Sequence, residues 1–225
     1  MSAQERFWLE EDSEWAWGRF SPLREVESAA WVAPLRPDWS QLSGRISEIS
    51  SRGGVGLVSV GLALAYEAQR QGHWPVWVSM GPLPFVEDVE ASGIDLRAWV
   101  GVRVSTPAQA LRAAEHALRS GCCGTVCVDL GGEDSTPTPM MGRLMRFAQQ
   151  QGHVCVFLTR RSLESPSISP LVGCRLGVEL RAQGAWLGQE PAHLSVRTLR
   201  DKRGGARPDL SLRVEAPSGL WEQGA

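Results

Sequence analysis

Short apolar runs alternate with helical segments through the middle of the chain, and this alternation limits the fold more than any other feature. The first run is RISEIS (45–50) and the last is VCVFLT (154–159). A typical helical segment is LVSVGLALAYEAQRQ (57–71), which is rich in Ala and Leu and stops at Gly72. Strands that alternate with helices form a parallel sheet with helices on its faces. The sequence therefore predicts an α/β fold.

The pattern of elements changes after residue 170. Before it, strands are predicted over 76–79, 100–104 and 125–130 and helices over 85–91, 107–119 and 140–151, which makes a parallel core four or five strands wide. After it, three strand-like segments follow with no helix between them, at 174–182, 194–200 and 210–214. We expect these three to form an antiparallel extension at the sheet edge, the last two as a hairpin around DKRGGARPD.

Composition divides the 225 residues into an extension (1–40), one α/β domain (41–216) and a short tail (217–225). Within residues 1–28, seven acidic residues oppose three arginines. The same stretch contains Trp8, Trp15 and Trp17. Tryptophan is common at binding hot spots, so these side chains are candidates for partner contact, including contact with a second copy. The other interpretation is that they pack on the protein's own sheet edge.

Cysteine usage and the start of the chain bear on location and on metals. The cysteines are odd in number and lie mostly in apolar segments, which favours buried, reduced thiols over disulfides; they are Cys122, Cys123, Cys127, Cys155 and Cys174. The first three lack the paired two-residue spacing of a zinc site, so no metal is predicted. Residues 1–28 contain neither an apolar secretory core nor a transit pattern, and we expect a cytoplasmic protein.

A glycine turn follows the first predicted strand, where a phosphate-binding loop would stand. Such a loop needs Gly-x-x-x-x-Gly-Lys-Ser/Thr, because the lysine meets the terminal phosphates and the hydroxyl ligates magnesium. In this register Ser51 and Gly56 hold the glycine positions, Leu57 replaces the lysine and Val58 replaces the hydroxyl. A helix start and Arg52 still attract an anion weakly. We expect no nucleotide cofactor and no ATPase activity.

With this turn as the anchor, residues 42–214 resemble the RecA recombinase core in the order and spacing of their elements. The matching pieces are GRISEI, EAQRQGHWPVWVSM, VCVDL with Asp129 at its end, and CVFLTRR. The resemblance implies a RecA-like core, a mostly parallel sheet flanked by helices and ending in antiparallel edge strands. Asp129 stands where a magnesium-organising acid is expected, and such a role is one alternative. Because Val58 replaces the hydroxyl, we expect instead a strand-end remnant that caps or pairs locally and has no catalytic role.

Departures from the RecA pattern concern the residues that carry its chemistry. Ser79, Met80 and Gly81 stand where a catalytic glutamate is expected, and Arg160 stands where a nucleotide-sensing glutamine is expected. The two DNA-contacting loops correspond to 131–139 and 161–170, and both are shortened. The resemblance therefore implies neither ATP hydrolysis nor strand exchange.

Two trimmed relatives of RecA are compatible with these departures. The chain is more similar to ImuA-type proteins, because it keeps a full-sized core, a basic hairpin and a tail. That resemblance implies a non-enzymatic accessory protein of damage-induced translesion DNA synthesis (SOS mutagenesis). Its implied partners are an ImuB-type inactive Y-family polymerase, an error-prone C-family polymerase and RecA. The alternatives are a SulA-type inhibitor of the division protein FtsZ and a weak nucleotide- or DNA-binding protein.

Basic residues cluster near the end of the predicted domain. Six basic residues oppose two acidic ones over 196–214, and those nearest the glycines of the hairpin are Arg197, Arg200, Lys202, Arg203 and Arg207. Arginine suits the geometry of DNA phosphates, so DNA or partner contact is one interpretation. Plain solvation of a charged hairpin is the other.

Overall fold

A single eight-stranded sheet forms the centre of the computed structural model, which describes residues 39–132, 136–181, 192–204 and 210–214. Two short 3-10 turns, Arg52–Gly54 and Leu96–Ala98, interrupt the regular elements. In chain order those elements are α1 (Trp39–Leu42), β1 (Arg45–Ser50), α2 (Leu57–Arg70), β2 (Trp74–Ser79), α3 (Val86–Ala91), β3 (Val100–Arg103), α4 (Pro107–Ser120), β4 (Cys123–Asp129), α5 (Thr138–Gln151), β5 (Val154–Thr159), β6 (Cys174–Arg181), β7 (Ala192–Asp201) and β8 (Leu210–Val214).

The strand order in the sheet is β3-β2-β4-β5-β1-β6-β7-β8. The first six strands are parallel, and β7 and β8 are antiparallel to their neighbours. The predicted α/β fold, a mostly parallel sheet with antiparallel edge strands, is confirmed. Because the strands of the parallel part all run the same way, the turns that follow β1, β2, β4 and β5 meet at one edge, here termed the carboxyl edge.

The prediction for the strand at 174–182 was wrong in one respect, because β6 pairs in parallel with β1 and widens the parallel part to six strands. Residues 160–173 carry the chain back across the sheet without a helix. They end where the Gly173 amide donates to the Ile46 carbonyl at 2.8 Å. A helix normally makes this crossover, so a strand that follows a loop looks antiparallel from sequence alone. The hairpin of β7 and β8 is antiparallel as predicted.

Helices cover both faces of the sheet and enclose two apolar layers. One layer lies under α2 and α3 and includes Trp77, and the other lies under α4 and α5 and includes Phe157. The close packing of α2 on β2 depends on Gly61, since a Cβ there would lie 2.6 Å from Trp77 Cζ3. Strands β1, β4 and β5 are buried along their whole length. This burial explains why the last two read as almost unbroken apolar runs.

The predicted thiols are all free, and all except Cys122 are buried. Across the part of the chain that the structure describes, no helix combines the length and the apolar character that a membrane span requires. The predicted extension and tail lie outside the described residues, apart from Trp39 and Ser40 at the start of α1.

Candidate functional site

The glycine turn between β1 and α2 is held by its own hydrogen bonds. The Ser51 hydroxyl donates to the Val55 carbonyl at 2.7 Å, and the Gly54 amide donates to the Ser51 carbonyl at 3.1 Å. The backbone adopts positive φ at Gly53, Gly54 and Gly56, a region that side chains other than glycine disfavour. The local sequence therefore specifies a compact turn that delivers the chain directly into α2.

Side chains from β6 and β7 pack against this turn at Gly56. A Cβ added at Gly56 would lie 2.7 Å from Leu194 Cδ2 and 3.1 Å from Val178 Cγ1. The next residue, Leu57, is buried in the same apolar layer, whereas Val58 is partly exposed. The two positions where a phosphate-binding loop carries a lysine and a hydroxyl are thus occupied by one core side chain and one exposed apolar side chain.

Arg160 and Asp129 form an ion pair at the carboxyl edge, where β4 and β5 end side by side. Arg160 Nη1 lies 2.7 Å from Asp129 Oδ1, and Nη2 lies 3.1 Å from Oδ2. The side chain of Asp129 is 9% exposed and that of Arg160 is 38% exposed. Asp129 Oδ1 also accepts from the Gly131 amide at 2.8 Å. Two parallel charge-assisted bonds and one amide therefore occupy this carboxylate.

The arginine also lies against the glycine turn. A Cβ at Gly54 would approach Arg160 Cγ and Nε to 3.2 Å. The hydrogen bonds that Arg160 donates to Asp129 raise the pKa of the Arg160 guanidinium above its ordinary value, so the group stays charged at physiological pH. One fixed cation therefore joins the ends of β4 and β5 to the turn, and it neutralises the acid that a magnesium-dependent site would direct at its metal.

A groove of about 370 Å³ opens beside the turn, between the residues after β5 and the end of β6. Val55, Val178 and Leu180 contribute apolar surface, and Arg52 and Glu164 contribute opposite charges. The pKa of Glu164 is lowered, chiefly by the hydrogen bond from the Ser162 hydroxyl, so its carboxylate is charged at neutral pH. A polyphosphate in this groove would meet that like charge, which disfavours it.

Sequence reasoning missed a buried charge, Glu48, in the middle of β1. Its side chain is fully buried and accepts from the Thr159 hydroxyl at 2.9 Å, the Ser50 hydroxyl at 3.1 Å and the Ile168 amide at 3.0 Å. The alternating pattern of RISEIS suggests that Glu48 faces solvent. It does not, because residues 160–173 cross the sheet on that face and cover it.

Arg175 on β6 is the charge partner of Glu48. The two residues stand opposite each other in the register of β1 and β6, and Arg175 Nε lies 3.6 Å from Glu48 Oε1. The guanidinium also donates to the Ser50 hydroxyl at 3.0 Å, to the Ser162 carbonyl at 2.9 Å and to the Ser165 carbonyl. This network fastens the segment after β5 to the sheet and thereby positions Arg160 at the carboxyl edge.

The basic hairpin lies away from the glycine turn, because β7 runs antiparallel to β6 and ends at the opposite, amino edge. There Lys202 donates to the Pro170 carbonyl, and Arg203 Nη2 donates to the Ser43 carbonyl at 3.3 Å. Arg197 lies 3.7 Å from Glu179 on β6, and Arg200 is exposed. Arg200, Lys202 and Arg203 are therefore not brought together with the turn, whereas Arg197 interacts electrostatically with Glu164 in the groove beside the turn.

Several predicted contact residues lie outside the described residues, namely Trp8, Trp15, Trp17 and Arg207. The described residues contain the whole of the predicted turn, with Ser51, Gly56, Leu57 and Val58, and also Asp129. They also contain the ion pair of Arg160, whose contact with Asp129 the sequence did not indicate.

Comparisons with known proteins identify the fold. No protein-family model matches the chain, and no curated protein is significantly similar to it in sequence. Among solved structures, the flagellar accessory protein FlaH from Methanocaldococcus jannaschii superposes with a TM-score of 0.57 at 14% identity, over 77% of this chain and 86% of that one. Identity this low is informative about the fold alone. The chain has a RecA-like α/β core.

Proposed function

We propose that this protein is a non-catalytic, RecA-like accessory protein that acts by binding protein partners, in the manner of ImuA-type proteins in damage-induced translesion synthesis. The observation that carries the non-catalytic part is the Arg160–Asp129 pair, in which both carboxylate oxygens accept from one guanidinium. Phosphoryl transfer depends on a magnesium ion and a lysine placed at the phosphates. Here an arginine holds the acid, and Leu57 is buried where the lysine would be.

Apolar side chains at the carboxyl edge support the binding part of the proposal. Phe85 is 74% exposed and Val86 is 57% exposed, after the turn that follows β2. Val55 and Val58 are partly exposed at the turn that follows β1. Exposed aromatic and branched side chains at one edge of a domain are typical of protein-binding surfaces. The translesion role itself rests on the resemblance to ImuA-type proteins, and it implies a partner of the ImuB type and RecA.

Calorimetric titration with ATP and magnesium tests the non-catalytic part. We expect no binding heat, which corresponds to a dissociation constant weaker than about 1 mM, and no release of phosphate. Saturable binding of ATP with a micromolar constant would contradict this part of the proposal. RecA, titrated in the same buffer, is the positive control.

Analytical size exclusion tests the binding part. The full chain is mixed with an ImuB-type protein from the same genome and, separately, with RecA, and we expect a co-eluting complex with at least one of them. Replacing Phe85 by Ala should weaken that complex by roughly 30-fold, the loss typical of truncating a hot-spot residue. The exposed Gln150 on α5 provides a control, since Gln150→Ala should leave the complex intact. Separate elution from both partners, with co-elution of FtsZ, would replace this proposal by the SulA-type one.

A further inference from the structure

Cys122 and Cys123 form a pair of thiols at the junction of α4 and β4, on the amino edge and away from the candidate site described above. Cys122 is exposed and Cys123 is buried. Their sulfur atoms are 3.6 Å apart. The Ser120 hydroxyl lies 3.0 Å from Cys122 Sγ and 3.7 Å from Cys123 Sγ. Two sulfurs therefore stand side by side, one of them open to solvent.

The backbone holds this pair in place from both sides. Helix α4 ends at Ser120, whose hydroxyl donates to the Ala117 carbonyl at 2.7 Å. Gly121 then turns the chain with a φ of 76°, and Cys123 is already the first residue of β4. A helix end and a buried strand thus fix the backbone positions from which the two sulfurs extend.

The separation disfavours a disulfide. The Cα atoms of adjacent residues are about 3.8 Å apart, below the usual range of roughly 4.4–6.8 Å for disulfides. The sulfurs would also have to approach from 3.6 Å to about 2.05 Å. A single atom that bridges the sulfurs needs no such movement. Two bonds of about 2.3 Å, the usual length for zinc and thiolate, meet at about 100° when their sulfur ends are 3.6 Å apart.

That angle selects the kind of bridging atom. An ion that binds two thiolates in a line would need sulfurs about 4.6 Å apart, twice a bond of about 2.3 Å. Zinc needs four ligands, and no group of three or more His, Cys, Asp or Glu residues suited to a metal occurs among the described residues. A trivalent arsenic centre is pyramidal, takes two thiols near this angle and keeps its third bond for an organic group. The pair matches such a centre.

We propose that Cys122 and Cys123 are a dithiol binding site for trivalent organoarsenicals. In the reaction, an arsonous acid exchanges two As–O bonds for two As–S bonds, and each thiol proton leaves with a hydroxide as water. Arsenic stays trivalent, so no oxidant is involved. Cys122 reacts first because it is exposed, and Cys123 closes the chelate. Burial raises the pKa of the Cys123 thiol to about 12, so this thiol brings its proton to the second step.

The test uses the native full-length protein and one equivalent of phenylarsine oxide, followed by intact mass spectrometry. We expect one phenylarsenic adduct. It should withstand excess 2-mercaptoethanol, because both As–S bonds to the protein must break before the adduct leaves. The dithiol 2,3-dimercaptopropanol should remove it. Cys122→Ser and Cys123→Ser should each shorten the lifetime of the adduct in 2-mercaptoethanol by roughly 100-fold, the usual gain from a second linked contact. Cys127→Ala leaves four cysteines, as each serine variant does, but it keeps the pair, so it should behave as the wild type.

Two results would overturn the proposal. One is a wild-type protein that carries no phenylarsenic adduct after treatment with excess 2-mercaptoethanol. The other is an unchanged adduct lifetime in Cys122→Ser. Cys122 is exposed, so this variant should fold, and it decides the matter alone if circular dichroism shows that Cys123→Ser does not fold. Neither result bears on the proposed accessory function, since the pair lies at the opposite edge of the sheet.

Discussion

Replacing Glu48 by Gln should destabilise the protein far more than the same replacement on the surface. The change keeps the shape of the side chain but removes the charge that faces Arg175 at 3.6 Å. The amide nitrogen of the new Gln would face either the Ile168 amide, which is itself a donor, or the Ser50 and Thr159 hydroxyls that donate to Oε1. Arg175 would remain buried with only neutral acceptors, the Ser50 hydroxyl and the carbonyls of residues 162 and 165.

The expected loss follows from these contacts. Removing one partner of a buried ion pair costs about 3–5 kcal/mol in the free energy of unfolding. The lower end applies here, because Arg175 keeps three acceptors. A loss of about 3 kcal/mol lowers the melting temperature of a chain of this size by roughly 6–12 °C. The matched control is Glu115→Gln, since Glu115 pairs with Arg143 on the surface at 3.1 Å. That change should cost at most about 1 kcal/mol.

Urea unfolding followed by circular dichroism measures both variants, and the double variant Glu48→Gln/Arg175→Met separates charge from packing. If the unpaired charge causes the loss, removing Arg175 as well should recover a large part of it. The reasoning would be refuted if Glu48→Gln cost no more than Glu115→Gln. A double variant less stable than the single one would show that Arg175 stabilises the protein mainly through its bonds to the segment after β5.

Two further predictions concern packing and pH. Gly61→Ala should lower stability by about 1–3 kcal/mol, because its Cβ would meet the Trp77 ring at 2.6 Å. Gly142→Ala in α5, where the nearest atom is 4.0 Å away, should raise it by roughly 0.5–1 kcal/mol, and equal urea midpoints would contradict this contrast. Burial, with a smaller effect of His73, lowers the pKa of His153 in the folded state. Its contribution to stability is therefore complete above the unfolded pKa of about 6.5 and declines below it. His153→Gln should flatten the fall in stability between pH 7.5 and 5.5, and an unchanged slope would exclude His153 as its cause.

Local sequence was sufficient to predict most of the helices and strands of the fold. The elements predicted from periodicity lie within two residues of those observed, because each depends on neighbours a few positions away. The absence of the phosphate-binding lysine and hydroxyl is also evident from local sequence, since the glycine turn aligns Leu57 and Val58 with those two positions. The direction of β6 could not be predicted, because the segment before it crosses the sheet without the helix that would have indicated a parallel partner.

The sequence by itself determined a parallel α/β sheet, a glycine turn without a phosphate-binding lysine, and an acid at the end of β4. Only the tertiary structure decided what that acid does. Arg160 is 31 residues from Asp129 in the chain, and the two meet because β4 and β5 are neighbours in the sheet. Glu48 and Arg175 likewise meet through the pairing of β1 with β6. Such contacts depend on strand order, which arises from the packing of the whole chain and leaves no short-range pattern in the sequence.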